Sequence, residues 1–361
     1  MPHKSKILHI APANISGVPG QFVQTERQLG YESRLVTLFA DPRNYFQDIC
    51  LNLPFIDFAP TKMIKRLVSD PRKLQVINRI QRPENIPLVW QPHSFVEKAL
   101  VFFRDWWWRP RVQRAIKQYH LDEFDVYQLD GGLDFYRNAA FISTMKERGK
   151  KIICCYTGSD LRTRGVIQAI DRISEANVTV EFDHLSLHPA IQHVFFPFDA
   201  SRFTPHAHHN NSRTIVIGHA PTNRAAKGSD IIIPILQRLS RDYPVKIELI
   251  EGLPYREALA RKQACDIFVD QIGDLGYGIN SLEAMAMEIP ACSCLAPGFA
   301  AMYPDHAFVE IHAENLAEQI IPLIENANLR RKVGERGRQW VLEHHDAVKV
   351  VQKIHAIAGI N

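Results

Sequence analysis

The chain has 361 residues, of which 46% are hydrophobic and 23% charged, and its formal net charge is +4. This length exceeds the roughly 250–300 residues at which a single core stops growing, so we expect two domains. The composition is that of a globular protein, and so small a positive charge argues against a chain dedicated to nucleic acid. No apolar run approaches the ~20 residues that a membrane-spanning helix needs. The opening "MPHKSKILHIAPA" also lacks a signal-peptide pattern. We therefore expect a cytoplasmic protein, with peripheral attachment to the inner face of the membrane as an option.

The cysteines and the clustered histidines do not indicate a metal site. The six cysteines lie mostly in apolar runs such as "KIICCY" and "PACSCL", and no CxxC pair is present. Buried free thiols of a reducing compartment account for them better than disulfides or zinc. The histidines of "HAHH" fall in the polar stretch "DASRFTPHAHHNNSR", residues 199 to 213, where a solvated linker is the favoured interpretation.

Apolar strands alternate with amphipathic helices in the first half. A strand at "KILHIAP" is followed by the small-residue loop "ANISGVPG", a helix at "QFVQTERQLG" and a strand at "SRLVTLF". The same alternation continues through the loops "DGGLD" and "TGSDLR", and a helix is predicted at "LRTRGVIQAI". Strand, glycine loop, helix and strand are the opening of a doubly wound α/β domain.

The second half restarts the alternation after the linker. We predict two Rossmann-like domains that face each other across a cleft, over 1–200 and 201–340. A C-terminal helix over 341–361 follows, with packing back on the N-terminal domain as one option. In such sheets ligands bind outside the carboxyl ends of the strands, so the loops at those ends hold the candidate site residues.

The loop "HAPTNRAAKGSD" combines two cations with a helix start. Arg224 and Lys227 follow a predicted strand and precede a helix near Gly228. Fixed cations beside exposed helix N–H groups can bind a diphosphate, Lys227 as a point charge and Arg224 in bidentate fashion. A solvated basic loop is the alternative, and the residues alone leave both open.

The segment "DLGYGINSLEAMAMEIP" places a glutamate behind a glycine turn. Gly276 and Gly278 allow backbone N–H groups to approach phosphates. Glu283 has two interpretations. It completes a capping box with Asn280 as the N-cap, or it accepts hydrogen bonds from the hydroxyls of a ribose.

These segments resemble the GT-B glycosyltransferases, in particular the family 4-like, retaining, glycosyltransferase-1 group. The resemblance covers residues 214 to 345, through "HAPTNRAAKGSDIIIPILQRL", "CDIFVDQIGDLGYGINSLEAMAMEIPACS" and "LRRKVGERGRQWVLEHH". It continues more weakly in "NISGVPG" and "YTGSDLR". The family implies a GT-B fold whose second domain binds a nucleotide-sugar donor.

The resemblance assigns donor-binding roles residue by residue. Lys227 matches the diphosphate-binding lysine, Glu283 the ribose-binding glutamate, and Gly276-Tyr277-Gly278 the family's glycine turn. The first glutamate of the family motif is Leu275 here, and three nearby side chains are candidates to replace it at the sugar: Asp270, Gln271 and Asp274.

Candidate acceptor and catalytic residues lie on the N-terminal loops. Ser16 and Gly17 follow the first strand, with Gly17 also a candidate donor contact. Asp130 ends the fourth strand, where the family often has a histidine. Asp160 and Arg162 follow the next strand, and Asp160 has N-capping as its alternative role. Asp130, Asp160 and Lys227 are the predicted catalytic residues.

The family implies a retaining reaction in which the leaving phosphate takes the acceptor's proton. Fixed donors aimed at the departing diphosphate are the main means of catalysis, and Lys227, Arg224 and the glycine-turn N–H groups supply them. No persuasive Asp-x-Asp pattern is present. We therefore expect metal independence and no cofactor beyond the nucleotide-sugar co-substrate.

A basic and aromatic segment over about 60–111 stands apart from the Rossmann pattern. It includes "FVEKALVFFRDWWWRPR", in which Val96, Leu100, Phe103 and Trp107 share one helical face and Pro110 ends the run. The favoured interpretation is a helix whose apolar face packs on the N-terminal domain. The alternatives are contact with an anionic membrane, where lipid-linked acceptors lie, and stacking on bases or sugars.

The predicted function is transfer of a sugar from a nucleotide sugar to the hydroxyl of a glycan, a lipid-linked glycan or another acceptor. The alternatives are a nucleic-acid-binding protein, including a DNA-modifying glycosyltransferase, and a GT-B relative that has lost catalysis. The basic aromatic segment motivates the former, and Leu275 motivates the latter.

Overall fold

The computed structural model describes residues 4–41, 43, 45–54, 86–92, 94–206, 214–273 and 276–360. The chain divides into two compact units, the first made of Met1–Pro197 and Ala347–Asn361 and the second of Phe198–Asp346. Each unit contains one parallel sheet with helices, which confirms the predicted α/β class. Residues 60–85 of the basic segment, 207–213 of the linker, Asp274 and Leu275 lie outside the described residues.

Seven parallel strands in the order β3-β2-β1-β4-β5-β6-β7 form the sheet of the first unit. They are β1 (Lys6–Ala11), β2 (Glu32–Thr37), β3 (Ile49–Cys50), β4 (Val126–Asp130), β5 (Lys151–Tyr156), β6 (Ala176–Thr179) and β7 (Ile191–His193). Strands β1, β4 and β5 are buried almost throughout. Parallel strands covered on both faces read as continuous apolar runs, which explains why the sequence pattern located them.

Within the described residues, four α-helices of the first unit precede the second unit in the chain. They are α1 (Val18–Gln28), α2 (Phe95–Tyr119), α3 (Ala140–Glu147) and α4 (Gln168–Asp171). The helix predicted over "LRTRGVIQAI" is wrong, because a helical turn at Asp160–Arg164 ends at Gly165 with φ 82°. A Cβ on Gly165 would lie 2.0 Å from the Leu88 carbonyl oxygen. This close approach lets Val166 donate its N–H to that oxygen at 2.7 Å.

Helix α2 differs from its prediction in two ways. It continues through Pro110 to Tyr119, so the predicted end at the proline is wrong. The face predicted to pack is exposed, with Phe103 50% and Trp107 47% accessible. The helix instead buries another face that includes Trp108, whose indole N–H donates to the Pro54 carbonyl at 2.8 Å.

Five parallel strands in the order β12-β11-β10-β8-β9 form the sheet of the second unit. They are β8 (Ile215–His219), β9 (Val245–Leu249), β10 (Ile267–Gln271), β11 (Ala291–Ser293) and β12 (Val309–Glu310). Its helices are α5 (Arg224–Lys227), α6 (Ser229–Asp242), α7 (Tyr255–Gln263), α8 (Ile279–Ala286), α9 (Phe299–Met302), α10 (Leu316–Glu325) and α11 (Ala327–His344). The core between sheet and helices is aliphatic and includes Ile217, Leu236, Val269 and Ile320.

The chain then returns to the first unit through α12 (Ala347–Ala358). This helix contacts α1 and buries Val350, Val351, Ile354 and His355. The first unit is therefore built from both ends of the described chain.

Candidate functional site

Lys227 is positioned where the loops after two neighbouring strands meet. Strands β8 and β10 pair in parallel, so their carboxyl ends share one edge of the sheet. Gly228 follows Lys227 with φ 71°, and a Cβ there would lie 2.5 Å from the Ile272 carbonyl oxygen. The Ile272 N–H donates to the Lys227 carbonyl at 3.1 Å. Glycine at 228 therefore lets the two loops close on each other and fixes the start of α6.

The buried carboxylate of Asp270 organises this edge. Its Oδ1 accepts a hydrogen bond from Lys227 Nζ at 2.6 Å. Its Oδ2 accepts from the Gly278 N–H at 3.1 Å and from the Ser281 hydroxyl at 2.8 Å. Burial alone would raise the pKa of Asp270, but the charge and hydrogen bond of Lys227 outweigh burial and lower it. Asp270 stays ionised and holds Lys227 against the start of α8.

The glycine turn is anchored by its tyrosine. Tyr277 is 6% exposed, and its ring stacks on Phe308 with centroids 4.4 Å apart. Its hydroxyl lies 3.3 Å from His345 Nε2. The side chain of Tyr277 thus points into the core, while Gly276, with φ 79°, and Gly278 carry the backbone at the edge. Gln271 is buried as well, and its carbonyl accepts from the Cys294 N–H at 2.9 Å.

Glu283 is held by two residues of α7. Its Oε1 accepts from the Tyr255 hydroxyl at 3.0 Å, and its Oε2 pairs with the ammonium of the buried Lys262. Lys262 also donates to Asn280 Oδ1 at 2.8 Å. The capping-box alternative is wrong, because α8 begins after Gly278 and the Asn280 amide donates to the Ala220 carbonyl instead. Glu283 therefore does not cap the helix; it is 4% exposed, and each of its carboxylate oxygens contacts a residue of α7.

Arg224 lies apart from Lys227 and pairs with the loop after β9. Its Nε and Nη2 donate to the two carboxylate oxygens of Glu251 at 2.8 and 2.6 Å. The Arg224 side chain is 54% exposed, so this is a surface pair. The structure brings Arg224 to the "EGLPY" loop and brings Lys227 to Asp270.

The loop after β1 contains two residues with left-handed backbone. Ser16 has φ 55° and Gly17 has φ 74°, directly before α1. The side chain of Asn14 ties this loop down by accepting from the Gly20 N–H at 2.9 Å and donating to the Phe46 carbonyl at 2.8 Å. The Asn14 side chain thus holds the left-handed turn of Ser16 and Gly17 at the carboxyl end of β1.

Asp130 ends β4 inside a buried chain of charged groups. Its Oδ2 lies 2.9 Å from His9 Nδ1, and the other nitrogen of His9 lies 2.9 Å from Glu26. Glu26 also meets His355 of α12 at 2.9 Å and accepts from the Ser33 hydroxyl at 2.6 Å. With Oδ1 taking the Gln128 amide at 2.9 Å, both oxygens of Asp130 are engaged in the interior.

Asp160 and Arg162 shape the loop after β5. Asp160 accepts backbone N–H groups of Thr157 at 2.8 Å, Gly158 at 3.0 Å and Leu161 at 2.7 Å. Arg162 pairs with Asp183 and with Glu181. Burial raises the pKa of Glu181 to about 7 although Arg162 opposes this shift. Through these contacts Asp160 and Arg162 hold the loop after β5 in its conformation.

Sequence reasoning missed the residues that support the candidate site from other elements. Lys262 and Tyr255 are 21 and 28 positions from Glu283. His9 of β1 contacts Asp130, and Glu26 of α1 contacts the other ring nitrogen of His9. No local motif marks them. The one signal available was a lysine inside "YREALARKQA" at a position that a helix turns towards the sheet.

Within the described ranges, no group of three or more histidine, cysteine or acidic side chains is arranged to hold a metal ion. No helix of the described chain has the length and apolarity needed to cross a bilayer.

Comparison with known proteins identifies the class through the fold. The glycosyltransferase SnogD of Streptomyces nogalater superimposes with a TM-score of 0.52 at 13% identity, covering 98% of this chain and 100% of that one. Sucrose-phosphate synthase of Thermosynechococcus elongatus gives 0.58 at 11% identity, covering 98% of both chains. HepE of Anabaena, solved with UDP-glucose, gives 0.57 at 12% identity, again over 98% of each chain. The chain has the GT-B fold of glycosyltransferases.

The family match lies in the second unit. Residues 201–340 match the model of the glycosyl transferases group 1. No curated protein is significantly similar to the chain in sequence.

Proposed function

We propose that the protein transfers a sugar from a nucleotide-sugar donor, with the donor bound by the second unit. The observation that carries this proposal is the convergence of Lys227, Asp270 and the Gly278 backbone at the carboxyl edge of the sheet, with Glu283 further along α8. The GT-B neighbour HepE was solved with UDP-glucose, which supports a donor of this kind. The group 1 match over 201–340 covers the same residues.

The geometry suits a diphosphate at the start of α8. Lys227 Nζ lies 3.5 Å from the position that a Gly278 Cβ would occupy, so its ammonium sits against the glycine turn. One of its three donors is used by Asp270, and the others are available to phosphate oxygens. The positive end of α8 adds to the attraction. As the glycosidic bond breaks, charge develops on the diphosphate, and donors already fixed there stabilise it without reorganisation.

Glu283 is proposed to bind the ribose of the donor. Its carboxylate is held from behind by Lys262 and Tyr255, each of which uses one oxygen. A carboxylate oxygen can accept a further hydrogen bond, so a pair of vicinal hydroxyls can approach without displacing either partner. We propose a retaining outcome, as in the group that the motifs resemble, and a reaction that needs no added metal because Lys227 meets the charge.

The acceptor is proposed to be a glycan or lipid-linked glycan. Helix α2 exposes Phe95 (85%), Phe102 (75%) and Trp106 (57%) on a segment that also carries lysine and arginine. Trp106, Trp107 and Arg109 line a pocket on the same helix. Exposed aromatic side chains among cations suit the interface of an anionic membrane, so we propose peripheral contact there. Sedimentation with anionic vesicles tests this, and a Phe102→Ser/Trp106→Ser double variant that still sediments fully would contradict it.

The donor proposal is tested by comparing ligands that share only part of the donor. Isothermal titration with nucleotide sugars, nucleoside diphosphates and inorganic pyrophosphate separates the two contacts. Lys227→Ala should weaken all of them by about 10- to 100-fold, the ~1.5–3 kcal/mol of a hydrogen bond to a charged group. Glu283→Gln should weaken the nucleotides and leave pyrophosphate unchanged.

The matched control is Lys246→Ala, which removes a lysine that is 64% exposed on the same sheet. It should bind every ligand as the wild type does. Wild-type affinity for nucleotides in Lys227→Ala would refute the proposed site. Binding without transfer or hydrolysis would favour the relative that has lost catalysis, and DNA binding without any nucleotide response would favour the nucleic-acid alternative.

A further inference from the structure

Among the described residues, no carboxylate is hydrogen-bonded to the side chains of two arginines at the carboxyl edge of the first sheet. Arg137 follows β4 and Arg164 follows β5, and these strands are neighbours. Arg164 donates to the backbone carbonyls of Gly131 and Gly165. Among the described residues, Nε and Nη1 of Arg137 are buried without a hydrogen-bond partner. Arg164 therefore donates only to backbone carbonyls, and two nitrogens of Arg137 have no acceptor. Both side chains belong to loops at the carboxyl edge of the sheet, where ligands bind in such folds.

The carboxylate of Asp105 lies close to Arg137 but already accepts hydrogen bonds from other groups. Asp105 Oδ1 accepts from the Arg104 side chain at 2.6 and 3.0 Å, and its Oδ2 accepts the backbone N–H of Arg137 at 2.9 Å. The guanidinium of Arg137 lies 4.9 Å from the ring centroid of Trp90. Burial, together with the charges of Arg104 and Arg164, lowers the pKa of Arg137 to about 9. The charges of Asp105 and Glu97 oppose this shift, and the Trp90 ring adds a cation–π attraction to the guanidinium.

A buried donor without an acceptor is costly, and native proteins satisfy nearly all of them. The backbone N–H of Trp90 donates to the Val166 carbonyl at 2.9 Å, and the Trp90 ring packs against the guanidinium. An oxyanion that reaches this cluster would supply the acceptor that Nε and Nη1 of Arg137 lack among the described residues. A planar guanidinium binds oxyanions in bidentate fashion, and phosphate has enough oxygens to accept from two arginines at once.

We propose that Arg137 and Arg164, above Trp90, form a binding site for a phosphate group carried by the acceptor. This inference rests on the proposed function, because it names the class of acceptor that the first unit would take. The phosphate can belong to a lipid head group or to a soluble phosphorylated glycan. Helix α2, which supplies Arg104 and Asp105, also carries the exposed aromatic residues.

Inorganic phosphate is the first probe, titrated by calorimetry into wild type, Arg137→Met and Lys227→Ala. Because Lys227 is the proposed donor contact, its variant separates the two sites. We expect phosphate binding to survive Lys227→Ala and to weaken at least tenfold in Arg137→Met. Arg148→Met is the matched control, since this arginine is 54% exposed and pairs with Asp122, and it should not change the affinity. An absence of phosphate binding to wild type, or equal binding to Arg137→Met, would overturn the proposal.

Folding of the variants is checked independently. Arg137→Met removes an unpaired charge, so its thermal midpoint should not fall below that of wild type, and Arg137→Lys keeps the charge without the planar fork. If Arg137→Lys is folded and still binds phosphate with wild-type affinity, bidentate recognition is refuted. Nucleotide binding should persist in Arg137→Met, so loss of the donor site and loss of this site give different results.

Vesicles identify the source of the phosphate. If a lipid head group occupies the site, vesicles of phosphatidylglycerol should compete with inorganic phosphate in wild type. Arg137→Met should then bind those vesicles at least tenfold more weakly than Arg148→Met. If phosphate binds and such vesicles do not compete, the site takes a soluble phosphorylated acceptor.

Discussion

Replacing Glu26 with glutamine should destabilise the first unit strongly, because this carboxylate joins two histidines in the interior. Burial alone would lower the pKa of His9, but the charges of Glu26 and Asp130 outweigh it and raise the pKa from 6.5 to about 10. At about 1.4 kcal/mol per pKa unit, this corresponds to at most about 5 kcal/mol. Breaking a buried ion pair typically costs about 3–5 kcal/mol. Since His9 keeps Asp130 in the variant, we expect a loss of about 3 kcal/mol.

The contributions of His9 and Glu26 to the free energy of unfolding depend on pH in opposite directions. The raised pKa of His9 contributes stability that is complete below pH 6.5 and is lost as the pH rises through about 10. Burial opposes ionisation of Glu26, but His9 and His355 lower its pKa from 4.5 to about 2. Its contribution is complete above pH 4.5 and is lost as the pH falls through about 2. The difference between wild type and Glu26→Gln should therefore be largest between about pH 4.5 and 6.5 and shrink on either side.

Urea denaturation followed by tryptophan fluorescence measures this difference, since four of the five tryptophans lie in the first unit. Glu32→Gln is the matched control, because Glu32 pairs with Lys6 at the surface and is 57% exposed. It should leave stability nearly unchanged. A loss below about 1 kcal/mol for Glu26→Gln, or a difference that does not change with pH, would refute the reasoning based on buried charge.

Three further predictions concern the second unit. Lys262→Met should weaken nucleotide binding about tenfold, because Glu283 loses the cation that orients it; unchanged affinity by calorimetry would contradict this role. Gly228→Ala should destabilise more than Gly252→Ala in urea denaturation. Both glycines have positive φ, which costs about 1–2 kcal/mol for alanine. Of these two positions, only 228 would bring the new Cβ within 4 Å of another atom. Equal losses of stability would show that the loops shift to accommodate the Cβ and would contradict the prediction. Sugar transfer should continue at the same rate in EDTA, and a rate restored only by Mg²⁺ would refute metal independence.

The sequence was most informative where neighbouring residues determine the structure. Buried parallel strands such as β1 and β5 are apolar runs by necessity, so the α/β alternation could be read directly. The glycines at 276 and 278 mark a turn for the same reason, since backbone conformation is a local property. The prediction for Glu283 kept two roles open, and the start of α8 after Gly278 excludes the capping box.

The features that the sequence did not predict depend on contacts between residues that are distant in the chain. Lys262 supports Glu283 from another helix, and Arg137 meets Trp90 across the sheet edge. Helix α2 shows the limit of local rules, because Pro110 was expected to end it and lies inside it. Proline removes one N–H from the helix, and this loss is tolerated when burial of Trp108 and Val112 holds the flanking turns in place.

The position of His355 has a consequence for how the protein is made. Glu26 lies 329 positions before His355, so its carboxylate can meet that imidazole only after the intervening residues have been synthesised. During translation the second unit emerges complete while the first still lacks α12. All residues of the second unit are therefore synthesised before α12 can complete the first unit.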